Sequence, residues 1–352
     1  MYKRYLYTVI IIIFLGMFCN AAITIAIDPY KVFGIFDFNK KNFEPNTRYL
    51  KIEHLCGNHE HDAYILGSSR VATYDVNTAR KLTGLNYYNL TASGASMEEV
   101  LAIAEWLVKT QYIRQVIVGL DFDAMFLAGS FDTNDLLRKE HYLVSGEHPL
   151  QFYLKFLTFQ PNTLRRAYRL NLGKDITAYR FDLSTGQVMF PYYDELIAQD
   201  HYAYVQKMIA VPETKWGRVN KGNLDAFFKT VRLFRSLDID VLYVINPCHY
   251  LMMQSYDIDE YSGWLRSIVG AEVYVWDFTG FNSVTKNSYN FYEILHSRKI
   301  VGDLVLERIF TGKCNPSGDD NFGMLISSEN IEDHIVSLKA SYISRHRILN
   351  SR

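Results

Sequence analysis

From Tyr5 to Ile27 the chain runs through 23 residues, YLYTVIIIIFLGMFCNAAITIAI, without a single charge. In lipid such a stretch can only be an α-helix, because a helix meets all its backbone hydrogen bonds internally. At ~1.5 Å per residue it reaches roughly 35 Å, enough to cross a hydrocarbon core of about 30 Å. Lys3, Arg4 and the amino terminus precede it, which predicts a short cytoplasmic end and an exported remainder. Lys31, Lys40 and Lys41 on the other side make that asymmetry modest. Asn20-Ala21-Ala22 offers small residues for signal cleavage, the alternative to a retained anchor. The apolar run continues to Ile27, which favours the anchor. Cys19 follows Met17-Phe18 rather than a small residue, so lipoprotein processing is not expected.

The remainder reads as a globular α/β body. Short apolar runs recur, each closed by a turn signal: Asp62 to Leu66 before Gly67-Ser68-Ser69, Tyr87 to Leu90 before Thr91-Ala92-Ser93-Gly94-Ala95, and Gln115 to Leu120 before Asp121. Asp240 to Ile245 and Glu272 to Trp276 follow. Continuous apolar character predicts parallel strands buried on both faces. Helical periods lie between them, from Ser96 (with Glu99 as a capping box), over Asn223 to Leu237, and over Ile300 to Phe310. The expected fold is a three-layer, doubly wound, flavodoxin-like sheet of five parallel strands. The interval from about 128 to 220 breaks the alternation and reads as a mostly helical insertion. The division expected is an anchor over residues 1–27 and an α/β domain over 28–352, ending in one helix from about Ser327.

Composition narrows the function by exclusion. Lys and Arg number 37 against 38 Asp and Glu, a net charge of −1, which lacks the basic excess of a nucleic-acid binder. Aromatic residues reach 15%, a level that core packing accounts for. No His, Cys or carboxylate cluster has metal-ligand spacing, and no cofactor motif is present. Of the four cysteines, Cys56, Cys248 and Cys314 lie beyond the apolar run, and their spacing selects no disulfide pair.

Open parallel sheets bind ligands beyond the carboxyl ends of their strands. Gly67-Ser68-Ser69-Arg70, Ala92-Ser93-Gly94 and Gly119-Leu120-Asp121 all fall there, and Glu293 and His296 stand three residues apart near the C-terminus. A serine hydroxyl becomes a nucleophile when an imidazole takes its proton, and a carboxylate behind the imidazole fixes its tautomer. Ser69 (or Ser68), His296 and Glu293 supply these three parts. One helix-like turn would present Glu293 and His296 to the same side, and the N–H groups of Ser69 and Gly94 would hold an oxyanion. His249, in Asn246-Pro247-Cys248-His249, is placed on the same edge as a cleft residue. Asp123 and Asp132 read as solvated, and Asn89-Leu90-Thr91 as a glycosylation pattern buried at a strand end.

This order of blocks resembles the SGNH (GDSL-like) hydrolases, and in particular the membrane-anchored branch with Gly-Ser-Ser-Arg in place of Gly-Asp-Ser. The resemblance spans roughly Asp62 to Phe310 and rests on four short blocks. It implies Ser69 as nucleophile, Gly94 as the second-block glycine, and Glu293 and His296 as acid and base. It further implies an esterase or O-acyltransferase acting on cell-envelope polysaccharide, with a multi-pass acyltransferase as a possible partner. Two residues depart from the pattern. Glu293 replaces the usual Asp, and Asp121 replaces the Asn whose amide completes the oxyanion hole. A carboxylate there would repel a developing oxyanion unless Arg70 pairs with it or it turns away. Either the hole works with its two backbone donors, or Asp121 turns away, or the site has lost catalysis and the same fold serves as a non-catalytic glycan-binding or scaffold subunit.

Overall fold

A computed structural model describes residues 2–35, 45–126, 135–174, 177–210, 218–313 and 321–350. The chain forms two compact units, one from Met1–Glu53 with Phe131–Phe181 and one from His54–Ser130 with Asp182–Arg352.

The larger unit is a mixed α/β body around a six-stranded, mostly parallel sheet. Its strands are β1 (Ala63–Leu66), β2 (Tyr87–Asn89), β3 (Gln115–Leu120), β4 (Asp240–Ile245), β5 (Val275–Asp277) and β6 (Met324–Ile326). They lie in the order β2-β1-β3-β4-β5-β6. The first five are parallel, and β6 runs antiparallel along β5. The sequence predicts five strands rather than six. β6 is only three residues long with two of them exposed, so it carries no apolar run to announce it.

Side-chain alternation sorts the core into two layers. Ile65, Ile117 and Val244 share one face with Val76 and Ala79 of helix Val76–Thr83 and with Val301, Val305 and Leu306 of helix Lys299–Thr311. Tyr243 points the other way, edge-on to Phe227 of helix Lys221–Ser236, which packs along helix Met97–Thr110. Each aliphatic side chain buried in this way contributes about 1.5–3 kcal/mol. The pairing Leu120–Ile245 brings the carboxyl ends of β3 and β4 level, and β1 ends two residues short of β3 with Leu66 opposite Val118, so the polar turns after them share one edge.

The smaller unit begins with helix Tyr2–Ile27, long and apolar enough to span a bilayer. Asn46 draws this unit together. Its amide donates to the carbonyls of Leu136 (3.0 Å) and Lys139 (2.8 Å), and its oxygen accepts from the Tyr49 amide (3.0 Å). Tyr30, Tyr49, Phe152 and Phe156 pack around that junction. The expected boundaries therefore change. Asp28–Glu53 and Phe131–Phe181 join the N-terminal helix instead of the sheet, and 182–210 belongs to the sheet unit. The expected start of the insertion near Ala128 lies outside the described residues. Among the described residues of the interval expected to be helical there is also a two-stranded hairpin, Arg180–Asp182 with Gln187–Met189.

One contact in the sheet unit is unusually close. A Cβ on Gly302 would sit 2.2 Å from the carbonyl oxygen of Thr73, so helix Lys299–Thr311 rests directly on the turn Ser69–Thr73. Gly302→Ala gains about 1 kcal/mol of helix propensity but must force the helix off that carbonyl, an overpacking cost of about 1–3 kcal/mol. The variant is expected to melt below the wild type. An equal or higher midpoint in thermal unfolding would contradict the contact.

Candidate active site

The turn after β1 forms because two glycines let backbones meet. Gly67 has φ +148, and a Cβ there would lie 3.2 Å from the Gly119 carbonyl and from Val71 Cγ1. At Gly119 a Cβ would come within 2.2 Å of Val71. The chain then enters the 3₁₀ turn Ser69–Thr73, and Ser69, as its first residue, has an N–H with no partner in the turn. The loop after β2 is pinned alongside. The Ala92 amide donates to the Gly67 carbonyl (3.0 Å), and the Thr91 hydroxyl donates to that of Ser68 (2.6 Å). Gly94 is exposed on this loop at φ +68, a left-handed position that suits glycine.

Glu293 and His296 sit on a loop rather than the helix-like turn expected. Phe291 and Ser297 form an antiparallel bridge, and the Tyr292 amide donates to the His296 carbonyl (2.9 Å). The Glu293 carboxylate accepts from the amides of Leu295 and His296, both at 2.9 Å, and from His296 Nδ1. His296 Nε2 lies 2.7 Å from Ser69 Oγ. With Nδ1–H donated to Glu293, Nε2 is left to accept the serine proton. Burial pushes the Glu293 carboxyl up. The hydrogen bond and charge of His296, the Leu295 amide and the more distant Arg70 outweigh it and hold the group below the usual glutamate range. The His296 and Glu293 side chains remain 31% and 28% exposed, so both are open to solvent.

Ser68, Arg70, Asp121 and His249 do not line a cleft, because each finds its partners below the surface. Ser68 donates its hydroxyl to Asp121 and accepts from the Arg70 amide (3.3 Å), which leaves Ser69 alone to meet the imidazole. Asp121 also accepts from Asn246 Nδ2 (2.8 Å) and lies 3.4 Å from Arg70 Nη1. At 2% side-chain exposure it is turned away from solvent. Burial raises its pKa against the pull of Arg70. Asp123, expected in solvent, instead pairs with the Arg70 guanidinium and accepts from the Tyr256 hydroxyl (2.9 Å). Burial disfavours the Arg70 cation, but Asp123 and Asp121 hold its pKa well above the ordinary value. Asp132 and Cys314 lie outside the described residues. Asn89 is fully buried, with its amide donating to the Val71 carbonyl (2.9 Å), so the glycosylation pattern is closed to modification. Burial pushes the Cys248 thiol up to about 12, so it stays protonated. Among the described residues no group of three or more His, Cys, Asp or Glu side chains is arranged to hold a metal ion.

Three residues that build this site escape sequence reasoning. Asn246 links Asp121 to the Tyr74 hydroxyl, Thr91 ties the second loop to the first, and Gly302 lets a helix touch the serine turn. Only Gly302 leaves a trace, as a glycine inside an apolar helical period. Neither a scan against models of known protein families nor a search of curated proteins returns a match to this chain.

His249 acts as a clamp on the loop that carries Glu293 and His296. Its amide donates to the Ile294 carbonyl (2.9 Å), its Nδ1 accepts from the Leu251 amide, and its Nε2 lies 3.0 Å from Ser288 Oγ. Burial pushes its pKa down to about 4. The unfolded chain, with His near 6.5, therefore binds this proton more readily, and stability falls as pH drops from about 6.5 to about 4. Between pH 7 and pH 5 this group alone accounts for about 2 kcal/mol of lost stability. In His249→Asn the decline in urea midpoint over that range is expected to be shallower than in wild type. Parallel declines would contradict a buried neutral imidazole.

Proposed function

We propose that this chain is a membrane-anchored serine esterase or O-acyltransferase of the SGNH type, and the observation that carries the reading is the 2.7 Å contact between Ser69 Oγ and His296 Nε2. Ser69 attacks the carbonyl carbon of an ester while its proton passes to His296, and Glu293 stabilises the imidazolium. The N–H groups of Ser69 and Gly94 face the developing oxyanion, where each donor is worth roughly 2.7–4 kcal/mol. His296 returns the proton to the departing alkoxide as the C–O bond breaks and leaves an acyl group on Ser69. Water or a sugar hydroxyl then gives its proton to His296, takes the acyl group and frees the serine.

The substrate class, ester-linked acyl groups of envelope polysaccharide, follows from the resemblance of the Gly-Ser-Ser-Arg block to the membrane-anchored branch. The same resemblance makes a multi-pass acyltransferase one partner that could supply the acyl group. Helix Tyr2–Ile27, with Lys3 and Arg4 in its first turn, supports a single span with the catalytic body exported. The non-catalytic alternative was motivated by Asp121 in place of Asn. Burial of that carboxylate against Ser68, Asn246 and Arg70 removes the expected repulsion and favours the enzyme.

A fluorophosphonate probe tests the reading without knowledge of the substrate. The full-length protein is expected to form one adduct, on the peptide containing Ser69, which disappears in Ser69→Ala and persists in Ser68→Ala. No adduct anywhere from pH 6 to pH 9 would favour the binding subunit, and labelling of Ser69→Ala would place the nucleophile elsewhere.

A further inference from the structure

The smaller unit carries an outer surface that water does not explain. Helix Pro149–Phe156 buries Phe152 and Phe156, four residues apart, and turns Leu150 and Leu154, also four apart, outward at 62% and 53% exposure. Phe159 in the next loop is 73% exposed. An ordinary surface helix is polar on the face opposite its core. Helix Pro161–Asn171 follows, with Ala167 and Leu170 buried and Arg165, Arg166 and Arg169 exposed beside Tyr168. From Pro149 to Leu172 there is no Asp or Glu.

Within the same unit these helices are fixed to the N-terminal helix. Asn20 Nδ2 donates to the Leu157 carbonyl (2.7 Å), and Ile27 packs on Ala167 and Leu170. Before Asn20 the helix is almost wholly uncovered, from Tyr2 to Cys19. The charge-free part of that stretch, Tyr5 to Cys19, spans roughly 22 Å, and the snorkelling stems of Lys3 and Arg4 extend it toward the ~30 Å of a hydrocarbon core. The outer boundary of the core then passes near Asn20, at the level of the Leu157 loop.

We propose that the two helices of Pro149–Asn171 lie in the membrane interface. Leu150, Leu154 and Phe159 enter the acyl boundary, and Arg165, Arg166 and Arg169 meet the phosphates of anionic lipids. The combination of an apolar face and a cationic one is that of an interfacial helix. The N-terminal helix would then do more than tether: with a second contact in the lipid, the unit cannot swing freely about its span. This inference rests on reading Tyr2–Ile27 as a membrane span.

The test uses the full-length protein in vesicles of phosphatidylcholine and phosphatidylglycerol, with lipids brominated near the headgroup end or near the methyl end of the acyl chain. Phe159→Trp adds a reporter at the proposed surface, and Phe14→Trp adds one inside the span. Relative to wild type, shallow bromines are expected to quench at least about half of the emission added at residue 159. Emission added at residue 14 should respond to the deeper bromines. Quenching at residue 14 without quenching at residue 159 overturns the interfacial placement, whether water or a protein surface covers Phe159. Quenching at neither position overturns the membrane span itself.

Discussion

Two groups separated by 227 residues along the chain come within hydrogen-bond reach, and the proposed chemistry depends on that closure. Closing a loop of that length costs on the order of 5 kcal/mol before any strain is counted. A hydrogen bond contributes a net ~0.5–1.5 kcal/mol, so the serine–imidazole contact cannot bring its own partners together. Packing does it. The face of the sheet bearing Ile65, Ile117 and Val244 buries helix Lys299–Thr311, and Gly302 lets that helix descend onto the Thr73 carbonyl. His296 lies just before the helix and Ser69 opens the turn beneath it, so one close approach sets both.

Charge is managed below the site rather than in it. Arg70 follows Ser69 directly and is buried between Asp121 and Asp123, with the Ser68 and Tyr256 hydroxyls donating to the two carboxylates. Buried charges persist only when paired and hydrogen-bonded. The same pairing keeps the Asp121 carboxylate away from the surface at the end of β3. Arg70 draws the carboxylate under the turn, so an arginine after the serine and an aspartate after the third strand form one coupled device. His249 does a parallel task for the other half of the site, holding the Ile294 carbonyl from the end of β4.

The five parallel strands and three of the helices beside them were legible because each announces itself locally, by a continuous apolar run or a 3.6-residue period. The last strand lies at Val275–Asp277 rather than Glu272–Trp276, and the helices Val76–Thr83 and Ile258–Val269 are not among the expected ones. Gln115–Leu120 and Asp240–Ile245 match the predicted runs residue for residue. What the sequence hides is whatever depends on contacts far along the chain. Asn46 bonds carbonyls 90 and 93 residues away, so nothing local shows that the N-terminal segment joins Phe131–Phe181. The three side chains Ser69, His296 and Glu293 could be named from residue type and strand order. Their neighbours could not: Asp123 looks solvated until Arg70 is found against it, and His249 looks like a cleft residue until its burial is seen. Strand β6, with a single buried residue, gives no signal at all.

The claim that Ser69, His296 and Glu293 work as one relay is tested most directly by the rate at which a fluorophosphonate modifies Ser69 when the other two are removed singly and together. Residues that act as a unit are non-additive. His296→Ala should slow modification by at least ~10³, and adding Glu293→Gln to it should cost nothing more. Labelling of His296→Ala at the wild-type rate, or losses that multiply in the double variant, would contradict the relay.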